Sequence, residues 1–193
     1  MSDNVFFTAD THFNHAKCCD LFRKGRFSSL EEMNESIIER WNSRVTKGDR
    51  VYHLGDVALG GASEARKILD RLNGQIFLIR GNHERVAEHK LCMSRFVWIK
   101  DYFGLKFGDQ KIYLCHYAFR TWNCAHHGSW NLHGHSHGTL LELPNARQCD
   151  VGVDCWDFYP VSFEEVAAKM ATKVFEAVDH HTVDFEESAH TGD

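Results

Sequence analysis

The sequence predicts an α/β domain with a sheet largely covered by helices. Short β-prone runs alternate with amphipathic segments whose apolar residues recur at helical spacing. One run, Gln75 to Ile79, is nearly continuously apolar, as suits a strand buried on both faces. A Gly108-Asp109-Gln110 turn between two further β-prone runs adds an antiparallel element.

The elements follow in order. Val5 to Thr8 is β-prone and ends at Asp10-Thr11-His12; a short helix is expected around Ala16 to Phe22. Ser28 with Glu31 and Ser29 with Glu32 offer overlapping capping boxes. Leu30, Met33, Ile37, Ile38, Trp41 and Val45 then mark one face of a long helix. Arg50 to Leu54 is the second strand and stops at Gly55-Asp56. Ala62, Ala65, Ile68, Leu69 and Leu72 give the next helical face, with Asn73-Gly74 as its C-cap. The strand Gln75 to Ile79 ends at Arg80-Gly81-Asn82-His83, and a short helix through about Cys92 should follow. Val97 to Asp101, Tyr102 to Phe107 and Lys111 to Cys115 read as strands, the last ending at His116. Tyr117 to Gly128 is loop-like. A turn at Pro144-Asn145 precedes a strand around Cys149 to Val153. Ser162 with Glu165 caps a last helix with Phe163, Val166, Met170 and Val174 on its face. Positions 1–178 read as one domain and 179–193 as an acidic, frayed tail.

Composition narrows the function classes. The net charge of −5 gives no global attraction for DNA or RNA, and no long nucleic-acid partner is expected. Met1 to Asn4 lead straight into the first strand, so no signal peptide is expected, and no apolar stretch reaches membrane-spanning length. The seven cysteines include no C-x-x-C pair and read as free thiols of a reducing, cytoplasmic compartment. The fourteen histidines are the unusual feature, and most lie outside the predicted helices.

His133-Gly134-His135-Ser136-His137 concentrates three of them. Read as extended chain, it points His135 and His137 the same way, toward one point, and Gly134 allows close backbone approach. Alone it suits a surface histidine cluster as well as a ligand set. The other strand ends decide. In open α/β sheets, ligands bind beyond the carboxyl ends of strands. Five β-prone runs here end in Asp10/His12, Asp56, Asn82/His83, His116 and His135/His137. Seven nitrogen and oxygen donors exceed what one tetrahedral zinc needs and fit two adjacent ions, with Asp56 as the shared carboxylate. Mixed His, Asp and Asn donors suit Mn, Fe, Zn or Ni rather than Mg or Ca.

Asp10-Thr11-His12, Gly55-Asp56, Gly81-Asn82-His83-Glu84, His116 and Gly134-His135-Ser136-His137, in this order, closely resemble the motifs of the calcineurin-like metallophosphoesterases. Asp10-Thr11-His12-Phe13-Asn14-His15 and Val151-Gly152-Val153-Asp154-Cys155-Trp156-Asp157 resemble small, single-domain members from bacteria and phages. The resemblance implies a four-layer α/β/β/α sandwich with mixed sheets. It implies one metal on Asp10, His12, Asp56 and His137 and a second on Asp56, Asn82, His116 and His135, Mn²⁺ first among the candidates. It also implies attack of a metal-bridging hydroxide on phosphorus, with His83 stabilising the transition state or protonating the leaving oxygen. The family usually has Asp after that histidine, orienting the imidazole; this chain has Glu84.

The remaining candidates weigh less. His83-Glu84 is not a zincin motif, because the next histidine is His89. His15 and Arg120 are candidate substrate contacts, with Trp122 beside Arg120, and His15 reads equally as loop surface. His53 reads as a packed strand residue, His133 as a loop brace, Cys124-Ala125-His126-His127 as loop surface, and His180 and His181 as tail. The sequence therefore predicts a dinuclear metal-dependent phosphodiesterase acting on a small phosphoester or nucleotide. The alternatives are a phosphomonoesterase or nucleotide pyrophosphohydrolase, a catalytically silent metal-binding scaffold, and a nucleic-acid-binding module. Neither the oligomeric state nor the substrate is legible.

Overall fold

Parallel strands joined by helices carry the first half of the chain. The computed structural model describes residues 4–143, 145–174 and 176; the tail from 179, with His180 and His181, and Pro144 of the expected turn lie outside the described residues. Strands β1 (Val5–Thr8), β2 (Arg50–His53), β3 (Gln75–Ile79) and β4 (Phe96–Lys100) run parallel. They are joined by α1 (Leu30–Arg44), α2 (Ala62–Leu69) and α3 (Lys90–Met93). The hairpin β5 (Tyr102–Phe107) and β6 (Gln110–Cys115) begins a second sheet, which β7 (Trp130–His133) and β8 (Gln148–Asp150) extend in parallel with β6. The chain then returns through β9 (Val161–Ser162), antiparallel to β1, into α4 (Phe163–Ala171). The sheets have the orders β4-β3-β2-β1-β9 and β5-β6-β7-β8, so both are mixed.

Alternation along the strands builds two cores. Phe6, Val51, Ile76 and Leu78 face the helices and pack with Met33, Ile37, Trp41 and Ile68. Val5, Phe7, Tyr52 and Ile79 face the second sheet and pack with Ile112, Leu114, Leu132 and Cys149. Helix α4 adds Val166 and Met170 to this second core and packs along β9, β1 and β8. The layers thus run helices, sheet, sheet, helix. All seven cysteines are free thiols, and no helix among the described residues is long and apolar enough to cross a membrane.

Several elements differ from the sequence expectation. The Ser29 hydroxyl caps α1 by accepting from Glu32 N–H (3.0 Å), but the Glu32 carboxylate reaches back to Ser28, not to Ser29, and Ser28–Glu31 forms no box. Helix α2 ends at Leu69 with Asp70 as its cap, four residues before Gly74. Asn73 is drawn away from capping because its amide donates to Val45 O (3.1 Å) while its backbone N–H donates to Asn42 Oδ1 (2.8 Å). The short helix expected through about Cys92 is α3, but it begins only at Lys90, and residues 82–88 before it are turns; the Glu84 side chain points back at the Gly81 and Val57 N–H groups (both 3.3 Å) instead of supporting a helical turn. Strand β9 has two residues, too few to show as a period. Val174 lies past the end of α4, three-quarters exposed.

Trp41 ties α1 to the sheet. It is fully buried, its indole N–H donates to Asn73 O (2.9 Å), and its ring stacks on His53 at 6.3 Å. Trp41→Ala should destabilise the fold by roughly 3–5 kcal/mol, the usual cost of emptying a buried tryptophan site. Urea unfolding monitored by circular dichroism measures it, and a loss under about 1 kcal/mol would mean that α1 is not held to the sheet by this contact.

Candidate metal centre

The carboxyl ends of β1, β2, β3, β6 and β7 open on one edge of the sandwich. The loops after them carry the seven predicted donors. Five of these, Asp10, His12, Asp56, His135 and His137, have left-handed backbone, with φ between 48° and 67°. Such backbone is uncommon outside glycine and turns a side chain sharply off the strand direction. Backbone pairing holds the turns in place: Asp10 N–H donates to Gly55 O (2.9 Å), His12 N–H to Asp56 O (3.0 Å) and Gly134 N–H to His116 O (3.0 Å). Gly134 is required here, because a Cβ on it would lie 2.7 Å from Asp10 Oδ2.

The donors fall into two groups, Asp10–His12–His137 and Asp56–His116–His135, with the donor atoms of each within 4.8 Å of one another. His135 and His137 therefore separate. Their stretch is not extended, as the sequence reading had it, because left-handed residues at both positions turn the two rings toward different groups. Asp56 Oδ2 lies 3.6 Å from His12 Nε2 and 3.7 Å from His116 Nε2, one ring from each group. Asn82 presents Oδ1 to His116 Nε2 (3.0 Å) and to His135 Nδ1 (2.9 Å). A third metal-capable group joins His12 to His15 and Cys18.

Protonation favours a cation at these groups. Burial, with His137 next, pushes His12 down to about 2, and burial also lowers His116. The contacts of both rings with Asp56 are thus approaches of neutral imidazoles, not ion pairs. His116 Nδ1–H donates to Leu54 O (2.7 Å), which leaves the Nε2 lone pair facing the site. Asp10 is fully buried and its Oδ1 has no hydrogen-bond partner. Burial, followed by repulsion from Asp150 and Asp56, raises its pKa well above the ordinary carboxylate range. Convergent lone pairs, an unpartnered buried carboxylate oxygen and mutually repelling acids are what a divalent transition metal would satisfy.

Two residues given no role by the sequence brace the site. Asp154 Oδ2 accepts from His137 Nδ1–H (2.8 Å), which turns Nε2 toward His12 at 3.3 Å. Arg23, 1% exposed, grips Asp154 with Nε and Nη2 (both 2.8 Å) and donates to Asp10 O (2.6 Å). Asp154 is held below the ordinary carboxylate range by Arg23 and His137 against the penalty of burial. Asp154 sits in the Val151–Asp157 stretch that carries part of the resemblance, whereas nothing around Arg23 marked it. Glu84 departs from the orienting role. Its carboxylate accepts from the backbone N–H groups of Asp56, Val57 and Gly81 and forms no bond to His83. Burial and the charge of Asp56 raise it to about 7.

His83 N–H donates to Asp56 Oδ1 (2.8 Å), and its ring stands 5.7 Å from His12 and 5.8 Å from His15, outside both donor groups. His15 Nδ1 lies 3.1 Å from His12 Nδ1. Both line a cavity of about 250 Å³ with Phe22, Asp56, Asn82, His135 and His137. Arg120 is exposed and is not among the lining residues, and Trp122 donates to Ser129 O (3.2 Å) instead. His53 contacts Thr11 Oγ1 (3.0 Å), between Asp10 and His12 in sequence, and so supports that loop from beneath.

Residues 4–188 match the model of a family described as calcineurin-like phosphoesterase. An uncharacterized protein of Methanocaldococcus jannaschii is 35% identical over 167 residues, covering 83% of this chain and 87% of the relative. The gene 66 protein of Mycobacterium phage D29 is 30% identical over 190 residues, covering 82% of this chain and 92% of its own length. A crystal structure of an Aquifex aeolicus protein of unknown function shares the fold, with a TM-score of 0.69 at 21% identity, over 87% of this chain and all of that one.

Asp154→Asn should weaken Mn²⁺ binding by roughly 10–100-fold, the usual effect of losing the carboxylate behind a ligating imidazole. Calorimetric titration of folded protein measures it, and unchanged affinity would detach Asp154 from the metal centre.

Proposed function

From its membership of the calcineurin-like phosphoesterase family, whose members are metal-dependent phosphoric ester hydrolases, we propose that this chain is a dinuclear phosphodiesterase. The position of Asp56 Oδ2, 3.6 Å and 3.7 Å from one imidazole of each donor group, carries the reading. Asp10, His12, Asp56 and His137 would hold one ion, and Asp56, Asn82, His116 and His135 the other. Mixed nitrogen and oxygen donors favour Mn²⁺ and its transition-metal neighbours Fe, Zn and Ni. When bound, such a pair supplies charge neutralisation at the phosphoryl oxygens and an activated water as nucleophile.

The chain's own residues supply the rest. With His12 Nε2 given to an ion, its proton would sit on Nδ1 and be donated to His15 Nδ1, 3.1 Å away. His15 would then carry its own proton on Nε2, a donor for a phosphoryl oxygen in the cavity it lines. His83 borders the same cavity without belonging to either donor group, as a general acid should. A P–O bond from water replaces the ester P–O bond, and the departing alkoxide takes the proton of His83. The water's proton returns to the imidazole through solvent. Beyond His83 and Asn82 the cavity meets a second one of about 640 Å³, and on its other side Phe22 stands exposed against His137 at 5.9 Å. Phosphorus thus has room for two organic arms, which favours a diester of small phosphoester or nucleotide type.

Asp56→Asn should weaken both ions and abolish turnover, because the amide has one good oxygen donor and no charge. His135→Ala should weaken chiefly one ion and His137→Ala the other. Metal titration of the three folded variants is the test; two ions bound to Asp56→Asn with native affinity would move the bridge elsewhere, Asp10 first, and saturation of the wild type at one ion would end the dinuclear reading.

His83→Ala should keep its metal and lose roughly 10²–10⁴-fold in rate. The loss should shrink for good leaving groups such as nitrophenolate. Equal losses for good and poor leaving groups would remove the acid role, and loss of metal would make His83 structural.

A further inference from the structure

The 640 Å³ cavity is lined by Leu59, Ala62 and Val86 on its apolar side and by Arg85 and His89 on its polar side. It meets the metal cavity at Asn82 and His83, which line both. Arg85 has no hydrogen-bond or ion-pair partner among the described residues, although other arginines nearby are engaged: Arg80 pairs with Asp101 (2.9 Å) and Arg66 with Asp70 (2.8 Å). Arg85 is exposed on the cavity wall, and a guanidinium without a partner among the described residues can receive an anion, with planar donors matched to phosphate or carboxylate.

We propose that this groove receives the departing arm of the substrate, and that the arm is a nucleotide: a ring system against Leu59, Ala62 and Val86, with a second anionic group on Arg85. The direction follows from His83. An acid must lie on the side of the oxygen it protonates, and His83 stands on the wall between the metal cavity and the groove. The volume also fits, since ligand-sized cavities begin at about 300 Å³. The exposed face of Phe22, on the far side of His137, is left for the retained arm. Arg85 is thereby a specificity residue that reads the leaving group and takes no part in bond cleavage. The inference rests on the phosphodiesterase reading above.

The test uses Mn-loaded protein and a dithymidine phosphodiester, with and without a terminal phosphate on the departing nucleoside, which is the one released without the scissile phosphate. Wild type should prefer the phosphorylated dinucleotide by roughly 10–100-fold in kcat/KM, the worth of a charge-assisted hydrogen bond. Arg85→Ala should bring that ratio near one, Arg85→Lys should restore part of it, and Arg85→Glu should reverse it. Moving the terminal phosphate to the retained nucleoside should make the ratio insensitive to Arg85. Val86→Ala should raise KM for both dinucleotides more than it lowers kcat. A ratio equal in wild type and Arg85→Ala overturns the proposal. Hydrolysis of bis(p-nitrophenyl) phosphate separates the two readings: a wild type that cleaves it but shows no preference loses the groove alone, and one that cleaves no diester loses the phosphodiesterase. In the latter case calorimetric binding of thymidine 3′,5′-bisphosphate still decides the groove. Affinity that falls at least tenfold in Arg85→Ala supports it, and equal affinity overturns it.

Discussion

Left-handed backbone at the ends of the strands is the constraint on which the site depends. A strand that simply continued would send its side chains alternately to the two faces of the sheet. Asp10, His12, Asp56, His135 and His137 instead turn at positive φ, and their donors meet above the sheet edge. Each such turn costs on the order of 1 kcal/mol or more for a residue other than glycine. Five together approach the net stability of an ordinary domain. The cost is borne by the two cores, and locally by bonds that also set the geometry: His135 N–H to Asp10 Oδ2 (2.8 Å) and His83 N–H to Asp56 Oδ1 (2.8 Å). The same carboxylates therefore fix the loops with one oxygen and leave the other for a ligand.

Electrostatics divides the work differently. Asp10, Asp56, Asp150 and Asp154 crowd one region, and among the described residues Arg23 is the one buried cation that answers them directly. Arg23 satisfies Asp154 with two bonds, and Asp154 in turn orients His137. Asp150 is consumed by the Gly152 and Gly138 N–H groups (2.8 Å and 3.1 Å). Of these four acids, among the described residues, only Asp10 keeps a buried oxygen, Oδ1, without a hydrogen-bond partner, and it belongs to a metal-capable group. The arrangement thus separates acids that hold the frame from acids that remain available to a cation.

The sequence showed most of the fold because alternation and helical spacing are local signals. Residues facing one core recur at every second position of β1, and the α1 face from Leu30 to Val45 follows a single period. Strand β9, with two residues, and the turns of 82–88, where Glu84 serves the neighbouring loop, have no local signature. The seven donors were legible as strand-end residues from spacing, whereas their partition came only through the family resemblance. Reading 133–137 as extended chain sent His135 and His137 to one point, whereas φ of 67° and 48° sends them apart. Arg23 was invisible because its partners, Asp154 and the Asp10 carbonyl, are remote in sequence or carried by backbone.

Glu84 ties two of the site loops together. It spans from the turn after β3 to the turn after β2, accepting from Gly81, Asp56 and Val57 N–H groups. His83 is fastened in the opposite direction, its N–H on Asp56 Oδ1. The two adjacent residues therefore stitch one loop to the other across Asp56, and the backbone and the carboxylate of Asp56 are both held from the 81–84 turn. Gly55 permits this closeness: at φ of 98° it lies so near Gly81 that a Cβ would stand 2.6 Å from Gly81 N. Proposed bridge and proposed acid consequently share one rigid unit. Their separation is set by the hydrogen bonds that join these two turns, and the imidazole needs no carboxylate partner of its own to be placed beside the cavity.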